Sequence, residues 1–477
     1  VTAQQTRYPH PLIDRYASAE MSDVFSPLRQ AITWRDLWIA LAEIERDLGV
    51  EIPETAIEEL RSAREQIDLE RVAEIEANLR HDVMAHVHHY GEVAPGARAF
   101  IHLGATSAFV ADNAGLIQLR DALEIISDRL LAAIAALAGF ADRWRSLPTL
   151  GYTHWQPAQP VTVGKRAALW LQDLVADHEQ VQRLREELRF RGARGTTGTE
   201  ATFLELFDGD GARVDELNER LADRFGFSGS WDLVGQTYPR KFDHRVLSVL
   251  AGIGASVARF AQDVRLLQSY GEIEEPFGSS QIGSSAMPYK RNPMRCERAG
   301  SLARHLCVLE LDAAWTASVQ GFERTLDDSA NRRIAIPEAF LSADAILQIV
   351  ANVSSGLVVH EAVIRARLDR ALPFLVTERV LIAGVRKGGD RQLLHERIRI
   401  HAMAARERLD AGAETNDFFR RVADDPGFDL SLEELDKLSR AEDLVGRCSR
   451  QVEQFLKERV ASVLDGYAGS DAPELRV

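Results

Sequence analysis

Residues Gly278–Arg298 read GSSQIGSSAMPYKRNPMRCER, with two hydroxyls, Ser284 and Ser285, shortly ahead of Lys290, Arg291 and Asn292. Glycine and serine at the start of the run give mobility, and Pro288 and Pro293 stiffen its exit. That is the composition of a lid carrying a hydroxyl and a cation. A solvated loop would share much of it, but Met-Pro-Tyr in the centre suits an anchored segment. In Gly151–Pro160 (GYTHWQPAQP), His154 sits between Thr153 and Trp155 in a short connection beside Gln156 and Gln159. A histidine in such a connection suits a general acid or base, a structural histidine being the alternative. Phe322–Arg333 (FERTLDDSANRR) gathers Arg324, Arg332, Arg333 and Ser329. These guanidiniums form either a surface network with the local acids or a forked clamp for phosphate and carboxylate.

Leu79–Gly91 (LRHDVMAHVHHYG) holds His81, His86, His88 and His89. The spacing matches neither HExxH nor a CxxC-plus-His site, so no metal is expected. Asp82 and His86, four apart, suit a salt bridge on one helix face, and His81 beside Arg80 suits an anion. Arg191–Thr199 (RGARGTTGT) lacks the Lys-Ser/Thr ending of a Walker A loop. No GxSxG elbow, HRD loop or GxGxxG after a strand appears. A hydroxyl lid, a histidine and an arginine cluster remain, which fits proton transfer on a polyanionic substrate without a cofactor.

These segments need long elements to position them. Leu116, Leu119, Leu123, Ile126, Leu130, Ile134 and Leu137 recur at steps of three and four, as do Val246, Leu250, Ile253, Val257, Phe260, Val264 and Leu267. Each set is one helix face. Pro148 closes the first stretch, Pro160 opens another running to about Phe190, and Pro239 precedes a helix from Lys241. Further helices are expected after Pro293 and after Pro337. Helix over Asp112–Leu147 would be about 54 Å long at ~1.5 Å per residue. Gly252, Gly254 and Ala255 leave room for a neighbouring backbone. Stripes this long predict a bundle shared between chains. The best strand candidate is Ala201–Phe207 (ATFLELF). Boundaries fall near 106 and 360, giving an N-terminal helical segment 1–106, a long-helix segment 107–359 and a shorter-helixed segment 360–477 with a polar tail from Gly469.

The chain has 477 residues, 45% hydrophobic and 27% charged, which is globular composition, and a net charge of −15. That balance disfavours nucleic acid and anionic membrane as partners. Three cysteines and no basic-then-apolar leader in VTAQQTRYPHPLIDRY point to a reducing cytoplasm. Leu130–Ala141 and Val246–Val257, charge-free apolar runs of 12 residues each, fall short of the roughly 20 that a bilayer span needs.

The run GSSAMPYKRNPMRCER resembles the signature loop of the fumarase/aspartase superfamily, whose members release fumarate from a succinyl-bearing substrate. Its KRNP ending is similar to the branch that acts on adenylosuccinate. RYAS-EM at Arg15, LRHDVMAH, IHLGATS at Ile101–Ser107, TH-x-QPAQ, RGTTGT, GQTYPRK and FERTLDDSANRR extend the likeness over nearly the whole chain, thinning after about residue 400. Tyr289 stands where many bacterial relatives have histidine, which is similar to the animal-type branch; Gly278–Ser280 departs from that branch in lacking longer polar side chains.

The resemblance implies a mostly α-helical, three-domain homotetramer whose active sites each draw on three subunits. It implies β-elimination of fumarate from adenylosuccinate, giving AMP, and from succinyl-aminoimidazole-carboxamide ribotide, in purine synthesis. It makes Ser284 the general base and His154 the general acid, with Lys290 stabilising the serine alkoxide, Glu297 orienting His154, and His81 near the phosphate and the reacting end. Thr106, Ser107, Lys290 and Gln236 match succinyl-end contacts. Arg15, Tyr16, Arg324, Ser329 and Arg333 match nucleotide and phosphate contacts, and Arg80, Asp82 and Arg298 complete the binding set. An argininosuccinate-cleaving relative is the alternative enzyme, disfavoured by KRNP and the arginine-rich segment. A non-catalytic scaffold is disfavoured by the intact Ser284, Lys290 and His154.

Overall fold

The computed structural model describes residues 8–469 and Leu475; the expected polar tail lies, apart from Gly469 and Leu475, outside the described residues. The architecture is all-α. Helices α1 (Ala19–Val24), α2 (Pro27–Asp47), α3 (Glu54–Ala63), α4 (Leu69–Leu79) and α5 (Asp82–Val93) precede five long ones. These are α6 (Ser107–Arg143), α7 (Val163–Glu187), α10 (Lys241–Ser269), α11 (Met294–Ser318) and α12 (Asp328–Gly356), with the short α8 (Ala201–Leu206) and α9 (Gly211–Arg224) between α7 and α10. Then follow α13 (Glu361–Leu375), α14 (Thr377–Arg386), α15 (Arg391–Asp410), α16 (Phe418–Ala423), α17 (Leu432–Leu438) and α18 (Cys448–Phe455).

The long helices pack as a bundle, α10 alongside α11, α6 against α7 and α12, and α11 against α12. Every residue of the two periodic stripes is buried, and both stripes are covered within the one chain. These two stripes therefore leave none of their own residues uncovered. The uncovered apolar face lies on α11, where Val308, Leu311 and Trp315 recur at helical spacing with Trp315 71% exposed. At Gly254 a Cβ would stand 3.1 Å from Cys307 Sγ and 3.2 Å from the Ala303 carbonyl, so glycine there sets the approach of α11 to α10. A second core, built from Val376, Val380, Leu394, Phe418, Phe428 and Leu435, is separate from the main one, which Val452 and Val460 rejoin.

Two expectations are corrected. Ala201–Phe207 is helical in α8 and its following turn, because Phe203 and Phe207 are both buried while Leu204 is exposed; the spacing that reaches the core is four, not two. Pro337 does not begin a helix but lies inside α12. The helix starts nine residues earlier at Asp328, whose side chain is fully buried against Arg240 and Arg324, and those ion pairs hold the turn that proline alone would disfavour. The same helix has an 18-residue window of mean hydropathy 1.6, apolar enough to cross a membrane, but 72% of it is buried inside the fold, as befits a core helix.

Candidate active site

Between α6 and α7 the chain forms a two-tier hairpin. Strands β1 (Pro148–Thr149) and β4 (Val161–Thr162) pair at its base, and β2 (Tyr152–Thr153) pairs with β3 (Gln156–Pro157) above them. His154 and Trp155 are the two turn residues, with φ of 52° and 60°. A two-residue hairpin turn needs positive φ at both positions and ordinarily uses Asn-Gly. Two large side chains there cost about 1–3 kcal/mol each, so the turn holds His154 and Trp155 out from the hairpin against their backbone preference. Gly151 is required at the neck, where a Cβ would meet the Gln159 carbonyl at 2.3 Å.

The lid runs from the end of a short strand, β5 (Ile273–Glu274), to α11; its final five residues, Met294–Arg298, are helical rather than mobile. Buried Glu275 accepts the Arg295 and Cys296 N–H groups at 3.0 Å each, fixing the first turn of α11. Gly283 is pressed against the Lys290 carbonyl, which a Cβ would meet at 2.0 Å, and its own carbonyl accepts Asn292 Nδ2 at 2.6 Å. This folds Ser284 into a tight turn in which its Oγ accepts the N–H of Met287 at 3.1 Å and of Ala286 at 3.4 Å. Two N–H dipoles aimed at a hydroxyl oxygen favour its anionic form. Lys290, Arg291, Asn292 and Glu297 line a cavity of about 830 Å³ together with Trp155 of the hairpin. His154 lines the adjoining cavity with Arg166, Asp263 and Tyr270, and no hydrogen bond joins it to Glu297 among the described residues.

The arginine-rich segment resolves into two kinds of residue. Arg332 is structural: Nε donates to Asp243 at 2.7 Å and Nη2 to the Tyr238 hydroxyl at 2.6 Å. Arg324, Ser329 and Arg333 line a 300 Å³ cavity with Trp34, Asp112 and Arg240. Beneath them a buried chain of charges runs Asp112–Arg240–Asp328–Arg324: Arg240 Nη2 donates to Asp112 at 2.8 Å, its Nε to Asp328 at 2.7 Å, and Arg324 Nη1 to Asp328 at 2.8 Å. Burial works to raise the Asp112 carboxyl, but Arg240 and Arg332 outweigh it and hold the group below the usual carboxylate range.

Arg333 pairs across helices with Asp82. The expected Asp82–His86 pair does not form, because Asp82 spends its oxygens on Arg333 and the Val83 N–H. His86 instead packs edge-on against Trp34, and burial pushes it down to about 4. His81 caps α5, its Nδ1 accepting the Met84 N–H at 3.3 Å, which leaves Nε2 free to face a ligand. Arg80, in the left-handed region at φ 57°, ends α4 beside it. Among the described residues no three histidine, cysteine, aspartate or glutamate side chains gather as metal ligands.

Arg298 lies over the Tyr16 ring at 5.5 Å and Arg15 flanks it at 5.9 Å, bringing the N-terminal segment to the start of α11. Gln236 donates Nε2 to the Thr196 carbonyl at 3.0 Å. The organiser of that region is Arg191, a residue the spacing did not single out. Fully buried, it donates to the carbonyls of Gln236, Gly192 and Gly195 at 2.6–3.0 Å, and burial lowers it to about 10. Thr106 and Ser107 sit at the opposite end of α6 from the hairpin. At 37 residues that helix is roughly 55 Å long, so one chain holds Ser107 and His154 too far apart to touch one nucleotide.

The all-α bundle is the fold of a solved fumarate lyase. The crystal structure of a fumarate lyase from Mesorhizobium sp. BNC1 superposes with TM-score 0.82 at 25% identity, covering 95% of this chain and all of that one. The family profile described as "Lyase" matches residues 30–307, and that described as "Adenylosuccinate lyase C-terminus" matches 373–455. Adenylosuccinate lyase of Saccharomyces cerevisiae is 50% identical over 465 residues, 96% of each chain, and that of Schistosoma mansoni 46% over 462, again 96% of each. The chain belongs to the adenylosuccinate lyase family.

Proposed function

We propose that the protein cleaves adenylosuccinate to AMP and fumarate, and the succinyl-aminoimidazole-carboxamide ribotide to its carboxamide, as a cytoplasmic enzyme of purine synthesis. Ser284, as alkoxide, takes the proton from the carbon next to a succinyl carboxylate. The C–N bond then breaks, and His154 protonates the departing nitrogen. The observation that carries this reading is the pair of N–H groups on Ser284 Oγ: a serine hydroxyl is a poor base unless its anion is stabilised, and these donors, with Lys290, supply that in a water-poor closed site. Negative charge building on the succinyl carboxylate is met by Lys290, Gln236, Thr106 and Ser107. Arg15, Tyr16, Arg80, Asp82, Arg298, Arg324, Ser329 and Arg333 hold the nucleotide and its phosphate, with His81 beside them. Glu297, on the cavity wall that Trp155 shares, orients the acid.

The length of α6 supports a composite site, in which His154 of one subunit works with Thr106 and Ser107 of another. The exposed face of α11 supports a homotetramer built through that helix. The separate core between Val376 and Leu435 supports the division near 359; the proposed boundary at 106 lies within the main core, which the first segment shares with the long helices. The animal-type assignment is supported by Tyr289 and by the 46% identity to the Schistosoma mansoni enzyme.

The test is an ultraviolet assay of the purified protein with adenylosuccinate. The expected result is loss of substrate with fumarate and AMP formed in equal amounts. Folded, oligomeric protein that converts neither adenylosuccinate nor the ribotide overturns the reading.

A further inference from the structure

The strained turn at His154 and Trp155 persists only if something outside the hairpin fixes its stem. Three side chains do so. Arg166 donates to the Leu150 carbonyl at the neck. Gln159, just past β3, donates Nε2 to Glu378 of α14 at 2.8 Å. Arg367 of α13 donates Nη2 to the Tyr152 hydroxyl at 3.1 Å, two residues from His154.

Arg367 is itself held on two further sides. Its Nε donates to Glu272 at 2.6 Å, and that carboxylate is 1% exposed. Its guanidinium lies 4.3 Å over the Tyr270 ring, and Tyr270 stacks on Tyr152 at 5.9 Å with 23° between the planes. Glu272 is fixed in turn, its carbonyl accepting the His360 N–H at 3.0 Å where β5 pairs with a last strand, β6 (Val358–Val359). A guanidinium that donates two ways and stacks on a ring holds a direction as well as a distance.

We propose that Arg367 and Tyr152 are positioning residues for His154: the latch Glu272–Arg367–Tyr152, clasped by Tyr270, transmits the placement of α13 to the imidazole that donates the proton. The inference rests on the reading of His154 as general acid. Tyr152 lines the cavity of His154 whereas Arg367 does not; the effect of both is proposed to pass through His154. A misplacement of about 1 Å can cost on the order of a hundredfold in rate.

The experiment is a double-mutant cycle on kcat for adenylosuccinate cleavage, with Arg367→Met, His154→Ala and both together. Arg367→Met is expected to lower kcat about 10- to 100-fold while KM moves less than about threefold, and to raise the solvent deuterium isotope effect on kcat as proton donation becomes slower. Arg367→Lys, which keeps the charge on Glu272, should recover part of kcat. In the His154→Ala background Arg367→Met should cost nothing further. Tyr152→Phe removes only the hydroxyl and keeps the ring stack, so it decides the matter if Arg367→Met does not assemble. Losses that multiply in the double variant, or an effect on KM alone, overturn the proposal. Near-normal turnover of His154→Ala overturns the reading of His154 itself and is distinguishable from both.

Discussion

Replacing Arg240 by methionine keeps an unbranched apolar stem and removes the charge from the middle of the Asp112–Arg240–Asp328–Arg324 chain. Arg240 is 2% exposed at its side chain, Asp112 3% and Asp328 0%, so neither carboxylate can turn to water. Asp112 keeps the Tyr238 N–H at 3.0 Å and the more distant charges of Arg332 and Arg191, and Asp328 keeps Arg324. Removing one partner from a buried pair costs about 3–5 kcal/mol, a shift of two to four decades in the folding equilibrium. The pH dependence should reverse as well. In the parent protein the folded-state value of Asp112 is depressed, so its stabilisation is present above the unfolded value of about 3.9 and is lost as pH falls through the folded value. Without Arg240, burial should raise that carboxyl, and acidification should then protonate it in the folded state and relieve the deficit by up to ~1.4 kcal/mol per pH unit. The measurement is urea unfolding of both proteins at pH 7.5 and 5.5, followed by circular dichroism. A deficit below about 1 kcal/mol at pH 7.5, or one that widens on acidification, refutes the role given to the buried charges.

Ser284→Ala should lower kcat by about 10²–10⁴-fold with the oligomer intact, because it removes the acceptor of the proton; near-normal turnover in a spectrophotometric assay would end its assignment as base. On the proposed phosphate-binding role, Arg333→Ala frees Asp82 and should raise KM for adenylosuccinate about tenfold with a much smaller change in kcat, the side chain being 66% exposed. Trp315→Asp places a charge on the apolar face of α11 and should dissociate the assembly in light scattering, with activity lost alongside. Mixing Ser107→Ala and His154→Ala proteins through a dissociation step should restore part of the activity, because a composite site then recovers one intact Ser107 and one intact His154; no recovery would place both groups in one chain.

Proline punctuation was legible where the helix start is a local matter: Pro239 and Pro293 stand just before α10 and α11. It misled at Pro337, because the start of α12 is marked by buried ion pairs of Asp328 with Arg240 and of Arg332 with Asp243, partners almost ninety residues away in sequence. The same limit separates Arg332 from Arg333. The two are identical in type and adjacent in sequence, yet the ~100° turn between them sends one to Asp243 and Tyr238 and the other to the surface and Asp82. The hairpin under His154 was invisible because its strands are two residues long and its turn lacks the Asn-Gly that announces one. Arg191 was overlooked for a related reason: its partners are backbone carbonyls, which leave no trace in side-chain spacing. The turn from Gly283 to Asn292, by contrast, follows local composition, since its shape depends on backbone freedom and close approach at Gly283.

The His154–Trp155 turn also sets the protein against any procedure that rewards stability by itself. Asparagine and glycine at those two positions would relax the backbone and raise the melting temperature, and the same exchange would delete the imidazole. Computational stabilisation that scores folding free energy would therefore be drawn to the proposed general acid, and on that reading the two residues belong on the protected set of any engineering campaign.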